Sequence, residues 1–251
     1  MCTRYISPEV REIEALWHVG PRNQSGWVRE LHPLRPGPFI RRASDGSNDL
    51  VVGQWGMIPA DCETRIPMSK PRGLGDKPKR LSTVNARSET VSSRPTYRDA
   101  WKRGQRCIIP ASSFDEPNWE TGKNVWWRFE RSDGQPWGVA GIWSMWTDPI
   151  TGEIVPNYTM LTMNADVHPL MNRMHKPMLD PKTKLSLPPQ QQDKRSLVLV
   201  EQVDFDQWLA GTVEEAKALV QLTPVELFNA GPADQPAAAS GGETFTVNCM
   251  S

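Results

Sequence analysis

The chain has no apolar run long enough to cross a bilayer, and its first residues lack the apolar segment of a secretory signal. Those absences predict a cytoplasmic, reducing compartment, free thiols and no membrane partner. Cysteine is scarce: there are only Cys2, Cys62, Cys107 and Cys249, and none forms a Cys-x-x-Cys pair. That spacing argues against a zinc site, and no metal or cofactor is expected. An excess of one charge is also missing. The 29 Lys and Arg balance the 29 Asp and Glu, so a nucleic-acid surface would have to be a local patch. There is no internal repeat, and strong helical patterns are few.

What is present is 251 residues, enough for one large domain or two small ones. Short apolar runs bounded by Gly, Pro and Asp dominate the first two thirds. Phe39-Ile40 and Leu50-Val51-Val52 flank Ser44-Asp45-Gly46-Ser47, a hairpin pattern. Val125 to Phe129 and Trp137 to Trp143 flank Ser132-Asp133-Gly134, which predicts a second hairpin. Cys107 to Pro110, Tyr158 to Thr162 and Leu197 to Val200 read as further strands. Helices are predicted from Thr96 to Gly104, from the capping box at Thr212–Glu215 to about Leu222, and from His168 to His175. The expected fold is α+β, mostly β: a mixed sheet or barrel with peripheral helices. A single domain is expected over residues 1–228, with 229–251 a flexible tail and the polar, Pro-rich stretch from Lys176 to Asp193 an insertion. The 11 Trp serve mostly in packing, with some available as stacking platforms for bases.

Cys2 is the residue with the most chemistry in it. Cysteine is small enough for an initiator Met to be removed before it, and removal would leave an α-amine and a thiol on adjacent carbons. The pair can condense with an aldehyde, the amine forming a Schiff base and the thiol closing a thiazolidine ring. An α-amine titrates near ~7.7–8.0 and a thiol near ~8.5, so both are partly available at neutral pH. Four further segments stand out: Trp55-Gly56-Met57-Ile58-Pro59, Asn85-Ala86-Arg87-Ser88-Glu89, Arg106-Cys107-Ile108-Ile109-Pro110 running on to Glu116, and His168 to Lys176 followed by Lys194 to Leu199. Taken singly, each has a plain structural reading. Asn85 suits a turn, Glu116 a surface, His175 a helix C-terminus, and Arg87 with Glu89 a solvated ion pair.

Taken together and in this order, these segments resemble the SOS-response-associated peptidase (SRAP) family, whose members shield abasic sites in single-stranded DNA by covalent cross-linking. The resemblance runs from Met1 to about Leu209. It implies that Cys2 is the nucleophile, that Asn85 holds the reacting pair, and that Glu116 and His175 move protons. Burial beside Phe114 is expected to raise Glu116 so that it has a proton to give. It implies further that Arg4 and Arg87 clamp phosphates, with Thr162, Asn164 and Trp55 in the DNA-binding surface. The implied partner is single-stranded DNA containing abasic sites, bound by a monomer, with no metal and no cofactor. The DNA damage and SOS responses are the implied setting, with possible lyase and self-processing peptidase activity.

Three features depart from the family pattern. Asp61 and Pro117 stand where the family has Trp, with Trp119 the nearest substitute for the second. The insertion separates His175 from Arg195. His175 is preferred to His168, because His168-Pro169 looks like the start of a helix. Arg65, Lys70, Arg72, Lys77, Lys79 and Arg80 form a basic loop before Asn85, read here as a DNA-backbone strip. Two other classes stay open: a cysteine peptidase pairing Cys2 with His175 that processes its own N-terminus, and a non-catalytic single-stranded DNA binder.

Overall fold

A computed structural model describes residues 1–20, 26–69, 71, 73 and 75–233. In chain order the elements are β1 (Arg4–Ile6), α1 (Val10–Trp17), β2 (Glu30–Leu31), β3 (Pro36–Arg42), β4 (Asn48–Trp55), β5 (Asn85–Arg87), α2 (Arg98–Lys102), β6 (Arg106–Ala111), β7 (Ser113–Asn118), β8 (Val125–Arg131), β9 (Trp137–Thr147), β10 (Ile154–Asn164), β11 (Arg195–Leu197), β12 (Leu199–Val200), α3 (Phe205–Ala210), α4 (Val213–Ala218) and β13 (Phe228–Pro232). The fold is mixed α and β and mostly β, as expected. No helix among the described residues is long and apolar enough to span a membrane.

Strands β10, β4, β3, β6 and β9 pair in that order, and β9 pairs back onto β10, closing a five-stranded barrel. One seam is parallel, with Gln54 opposite Asn157 and Trp55 opposite Tyr158, so the barrel is mixed. Closure requires a bare Cα at Gly141. A Cβ there would lie 2.3 Å from Ile109 Cδ1 and 2.6 Å from the Thr159 carbonyl. Gly56 is needed for a different reason. At φ +130° it leaves the β4 strand and donates to the Tyr158 carbonyl at 2.8 Å, a conformation side chains disfavour. Beside the barrel, β13, β8, β7, β1 and β2 form a second, five-stranded sheet.

The barrel strands are buried on both faces. Phe39, Val51, Cys107, Ile109, Val139 and Tyr158 face a core shared with Phe114 and Phe129 of the second sheet. Ile40, Leu50, Ile108, Ala140 and Leu161, of opposite parity, face a core shared with Trp17, Trp101 and Trp208 of the helices.

Several local expectations change in this context. β8 and β9 do not form a hairpin: β8 pairs with β7 and β13, and β9 with β6, β10 and β12. The turn at Gly134 (φ +75°) carries the chain from one sheet to the other. Burial decides this, because β9 is buried on both faces in its first half while β8 keeps one face half open. The Thr96–Gly104 helix shortens to Arg98–Lys102 with Tyr97, not Thr96, at its N-cap, and Gly104 (φ +67°) ends it. The Thr212–Glu215 capping box forms, but its helix stops at Ala218. Residues 168–175 form only a 3₁₀ turn over Met171–Arg173. The predicted domain end at residue 228 falls inside β13, which pairs with β8 through Pro232, so the ordered sheet runs past it. Of the expected tail, residues 234–251 lie outside the described residues.

Candidate active site

The N-terminal residues are placed by β1. Its antiparallel register with β7 sets Arg4 opposite Asp115 and Tyr5 opposite Phe114, so the residues before Arg4 run alongside Glu116. Cys2 is fully buried, its Sγ within 3.3 Å of the Arg4 carbonyl. Burial, and then the Glu116 carboxylate, push its thiol well above the ordinary range. β5 adds Asn85, whose Nδ2 donates to the Cys2 carbonyl at 2.7 Å. Its Oδ1 is buried without a hydrogen-bond partner, an acceptor left over in the site.

β7 contributes Glu116, which is 1% exposed. His175 reaches it from the opposite side. The His175 N–H donates to the Pro117 carbonyl at 2.6 Å, and Met174 bridges to Asn118. His175 Nε2 lies 2.9 Å from Glu116 Oε2. The Met1 amine lies 3.3 Å from the same oxygen and also contacts His175 Nε2. One amine, one imidazole nitrogen and one carboxylate oxygen therefore meet in a triangle, which is the geometry of a proton relay. Burial pushes the Glu116 carboxyl up, but the N-terminal ammonium and His175 outweigh it and hold the group below its ordinary value. That reverses the expectation of a raised carboxylic acid. At neutral pH Glu116 is an anion and takes a proton before it gives one.

The site residues expected at the DNA surface fare differently. Trp55 is 0% exposed, packs edge-on against Tyr5 with ring centroids 5.0 Å apart, and donates to the Val84 carbonyl at 3.0 Å. It is core and cannot touch DNA. Thr162 is 1% exposed, and Arg195 donates to its carbonyl at 2.9 Å, so it does not reach the surface either. In both cases the motif is a strand position whose side chain points into packing. Asn164 is exposed, with its Oδ1 accepting from the Asp166 N–H at 3.0 Å. Arg4 pairs with the buried Asp115 at 3.0 Å and with Glu30 at 2.9 Å. Arg87 pairs with Asp193 at 2.6 Å, not with Glu89, and remains half exposed. Glu89 instead accepts two bonds from Arg195, at 2.9 and 2.8 Å. His168 is structural: its Nδ1 accepts from the N–H groups of Leu170 and Met171, and its Nε2 donates to the Thr223 carbonyl at 2.8 Å.

Of the basic loop, Lys77, Lys79 and Arg80 are exposed, Arg65 pairs with Glu153, and Lys70 and Arg72 lie outside the described residues. Trp119 is half buried at the rim, with Lys176 Nζ 5.4 Å from its ring centroid. Both border a cleft or adjoin one: Trp119, Arg173, His175, Gln192 and Lys194 line a cavity of about 460 Å³. Lys194 had no claim on the site from its sequence beyond opening an apolar strand, since nothing local says where its side chain ends.

A family model described as SOS response associated peptidase (SRAP) matches residues 1–234. The chain belongs to the SRAP family. Among known proteins, it is 31% identical over 179 residues to the abasic site processing protein YoqW of Bacillus subtilis, covering 70% of this chain and 73% of that one. It is 25% identical over 192 residues to the abasic site processing protein HMCES of Gallus gallus, covering 62% and 54%. A crystal structure of a Bordetella bronchiseptica protein superposes with a TM-score of 0.73 at 30% identity, covering 93% of this chain and all of the other.

Proposed function

We propose that this SRAP protein processes abasic sites by covalent attachment to single-stranded DNA through Cys2, after Met1 is removed. The observation that carries the reading is the triangle of the Met1 amine, His175 and Glu116 beside Cys2 and Asn85: removal of Met1 leaves the new Cys2 amine one residue from the same two groups. The names of the relatives, abasic site processing proteins, point the same way.

The chemistry follows from the groups present. The Cys2 amine adds to the aldehyde carbon of the ring-opened abasic sugar, giving a carbinolamine. Loss of water leaves an imine. The thiol then adds to the imine carbon, a C–S bond forms, and the thiol proton passes to nitrogen. One aldehyde and one aminothiol yield one thiazolidine and one water. The free amine attacks; Glu116, as an anion, takes the proton that the nitrogen sheds once the C–N bond has formed and returns it to the departing hydroxyl, while His175, on the same oxygen, carries it to and from the sugar side. The free Oδ1 of Asn85 accepts a hydrogen bond from the amine or sugar, and so orients them. Arg87 and the exposed Lys77, Lys79 and Arg80 supply phosphate contacts. The protein acts as a monomer.

The test is an abasic oligonucleotide incubated with mature protein. A band that survives denaturation, with a mass equal to protein plus oligonucleotide minus one water, supports the reading. Its absence overturns it. One observation favours a second activity: Met1 itself occupies the site, its amine against His175 and Glu116. Self-removal of Met1 would appear as a mass loss of one Met residue in the unprocessed chain but not in Cys2→Ala. Binding with neither band nor mass change would leave a non-catalytic DNA binder.

A further inference from the structure

Lys194 stands immediately before β11, behind His175. It is 7% exposed, and among the described residues no carboxylate pairs with its ammonium. Its Nζ instead donates to the carbonyls of Met174 at 2.6 Å and of His175 at 2.7 Å. Burial pushes this amine below its ordinary range, with Asp166 opposing. A buried ammonium held only by backbone carbonyls is unfavourable unless the geometry it enforces compensates.

The geometry in question is that of His175. Its φ is +64°, a left-handed conformation that disfavours an L side chain by roughly 1–2 kcal/mol. Such a backbone persists only when its surroundings over-determine it. Here the two sides of the residue are held separately. The Pro117 carbonyl takes its N–H, and Lys194 takes its carbonyl and the one before it. Lys194 is itself pinned, because its own N–H donates to Asp166 at 2.7 Å. Residues 176–193 leave the chain after His175 and return at Lys194, so this lysine also ties the two ends of the insertion together.

We infer that Lys194 is a positioning residue: by gripping the Met174 and His175 carbonyls it fixes the left-handed backbone of His175 and aims the imidazole at Glu116 and the N-terminal amine. The inference rests on the role proposed for His175. It also explains how a polar insertion of that length is tolerated beside the site. The clamp holds the His175 backbone from the far end of the insertion, although insertion residues Pro177, Leu187 and Gln192 line the same cavity as the imidazole.

The experiment is a mutant cycle on mature protein with an abasic single strand, under single turnover at saturating DNA. Lys194→Met is expected to slow cross-linking about tenfold to a hundredfold, as for a misplaced catalytic group. Affinity for an undamaged strand should change less than twofold. Lys194→Arg, which keeps the donors, should recover most of the rate. In a His175→Ala background Lys194→Met should slow nothing further, because the two act through one group. Additive losses would assign Lys194 a separate role. A weaker affinity with a shallower salt dependence would make it a phosphate contact. Either result overturns the inference, as does a folded Lys194→Met with the wild-type rate. If Lys194→Met does not fold, Lys194→Gln takes its place in the cycle.

A second readout needs no reaction. The groups facing Glu116 are the N-terminal ammonium, the Cys2 thiol and His175. Since His175 helps hold the Glu116 carboxyl down, the NMR titration midpoint of Glu116 in DNA-free protein should rise in Lys194→Met and in His175→Ala alike. An unmoved midpoint in a folded variant overturns the inference. If wild type forms no cross-link at all, the proposed function falls, and this titration still decides the placement of His175.

Discussion

Glu116→Gln isolates the relay from the rest of the site. The substitution keeps the shape of a buried side chain and removes one negative charge. In the unprocessed chain, at 3.3 Å and an effective dielectric of about 20, the pair of Glu116 with the Met1 amine is worth ~5 kcal/mol before screening. The Met1 side chain beside that amine is 45% exposed, so water replaces much of that, and the unprocessed chain should lose about 1 kcal/mol of stability. The catalytic loss should be larger. General acid–base groups contribute roughly 10²–10⁴-fold, or about 3–5 kcal/mol of barrier. One effect opposes it. The Glu116 charge helps to raise the Cys2 thiol, so neutralising it lowers the thiol and favours thiolate. That gain enters only at ring closure, after the imine has formed, and a faster thiol cannot rescue a slower imine. Single-turnover cross-linking should therefore fall by at least 10²-fold, resolved on a denaturing gel. Binding to an oligonucleotide with a non-reactive tetrahydrofuran lesion should be unchanged. A rate within threefold of wild type, or equal losses of rate and binding, would remove Glu116 from the mechanism.

The pH dependence has a definite sign. Glu116 is held below its ordinary value, so its folded-state ionisation stabilises the protein above the unfolded pKa, near ~4.3, and the contribution is lost as pH falls through the lower folded value. The ionisation of Glu116 itself, followed by NMR and by the acid limb of stability, should extend below the usual carboxylate range, and His175→Ala should move it upward. Cys2→Ala should abolish the denaturation-resistant product, and Cys2→Ser should leave only an imine that borohydride traps; a stable adduct in Cys2→Ala would place the nucleophile elsewhere. Arg87→Ala should lower the slope of log affinity against log salt by about 0.7 on undamaged single strands, as one lost phosphate contact does, and an unchanged slope would leave Arg87 to Asp193 alone. Trp55→Ala should destabilise the fold by about 3–5 kcal/mol in denaturant melts, as truncation of a buried Trp does; a selective loss of DNA binding at full stability would contradict its burial.

Most of the strands were legible because their signal is local. Val, Ile and aromatic runs between Gly, Pro and Asp marked β3, β4, β6 and β10, and the Thr212–Glu215 capping box formed as spaced. Pairing was not legible. Ser132-Asp133-Gly134 has hairpin chemistry whether or not the flanking strands meet, and here each found more burial in a different sheet. Trp55 shows the same limit in the site. A Trp beside a Gly-Pro strand end suits a DNA platform, yet its side chain points at Tyr5.

The order of residue types along the chain by itself determined the family and the mostly β class, and it singled out Cys2, Asn85, Glu116 and His175 as candidates, because a thiol, an amide, a carboxyl and an imidazole are properties of residues. Only the tertiary structure decided how they meet. The charge on Glu116 follows from an ammonium at residue 1 and an imidazole at residue 175, and they outweigh the burial that alone would raise its pKa. The place of His175 follows from Lys194, 19 residues away in sequence and 2.7 Å away in space. Coulomb energy and desolvation depend on distance and burial, and no spacing along the chain encodes either.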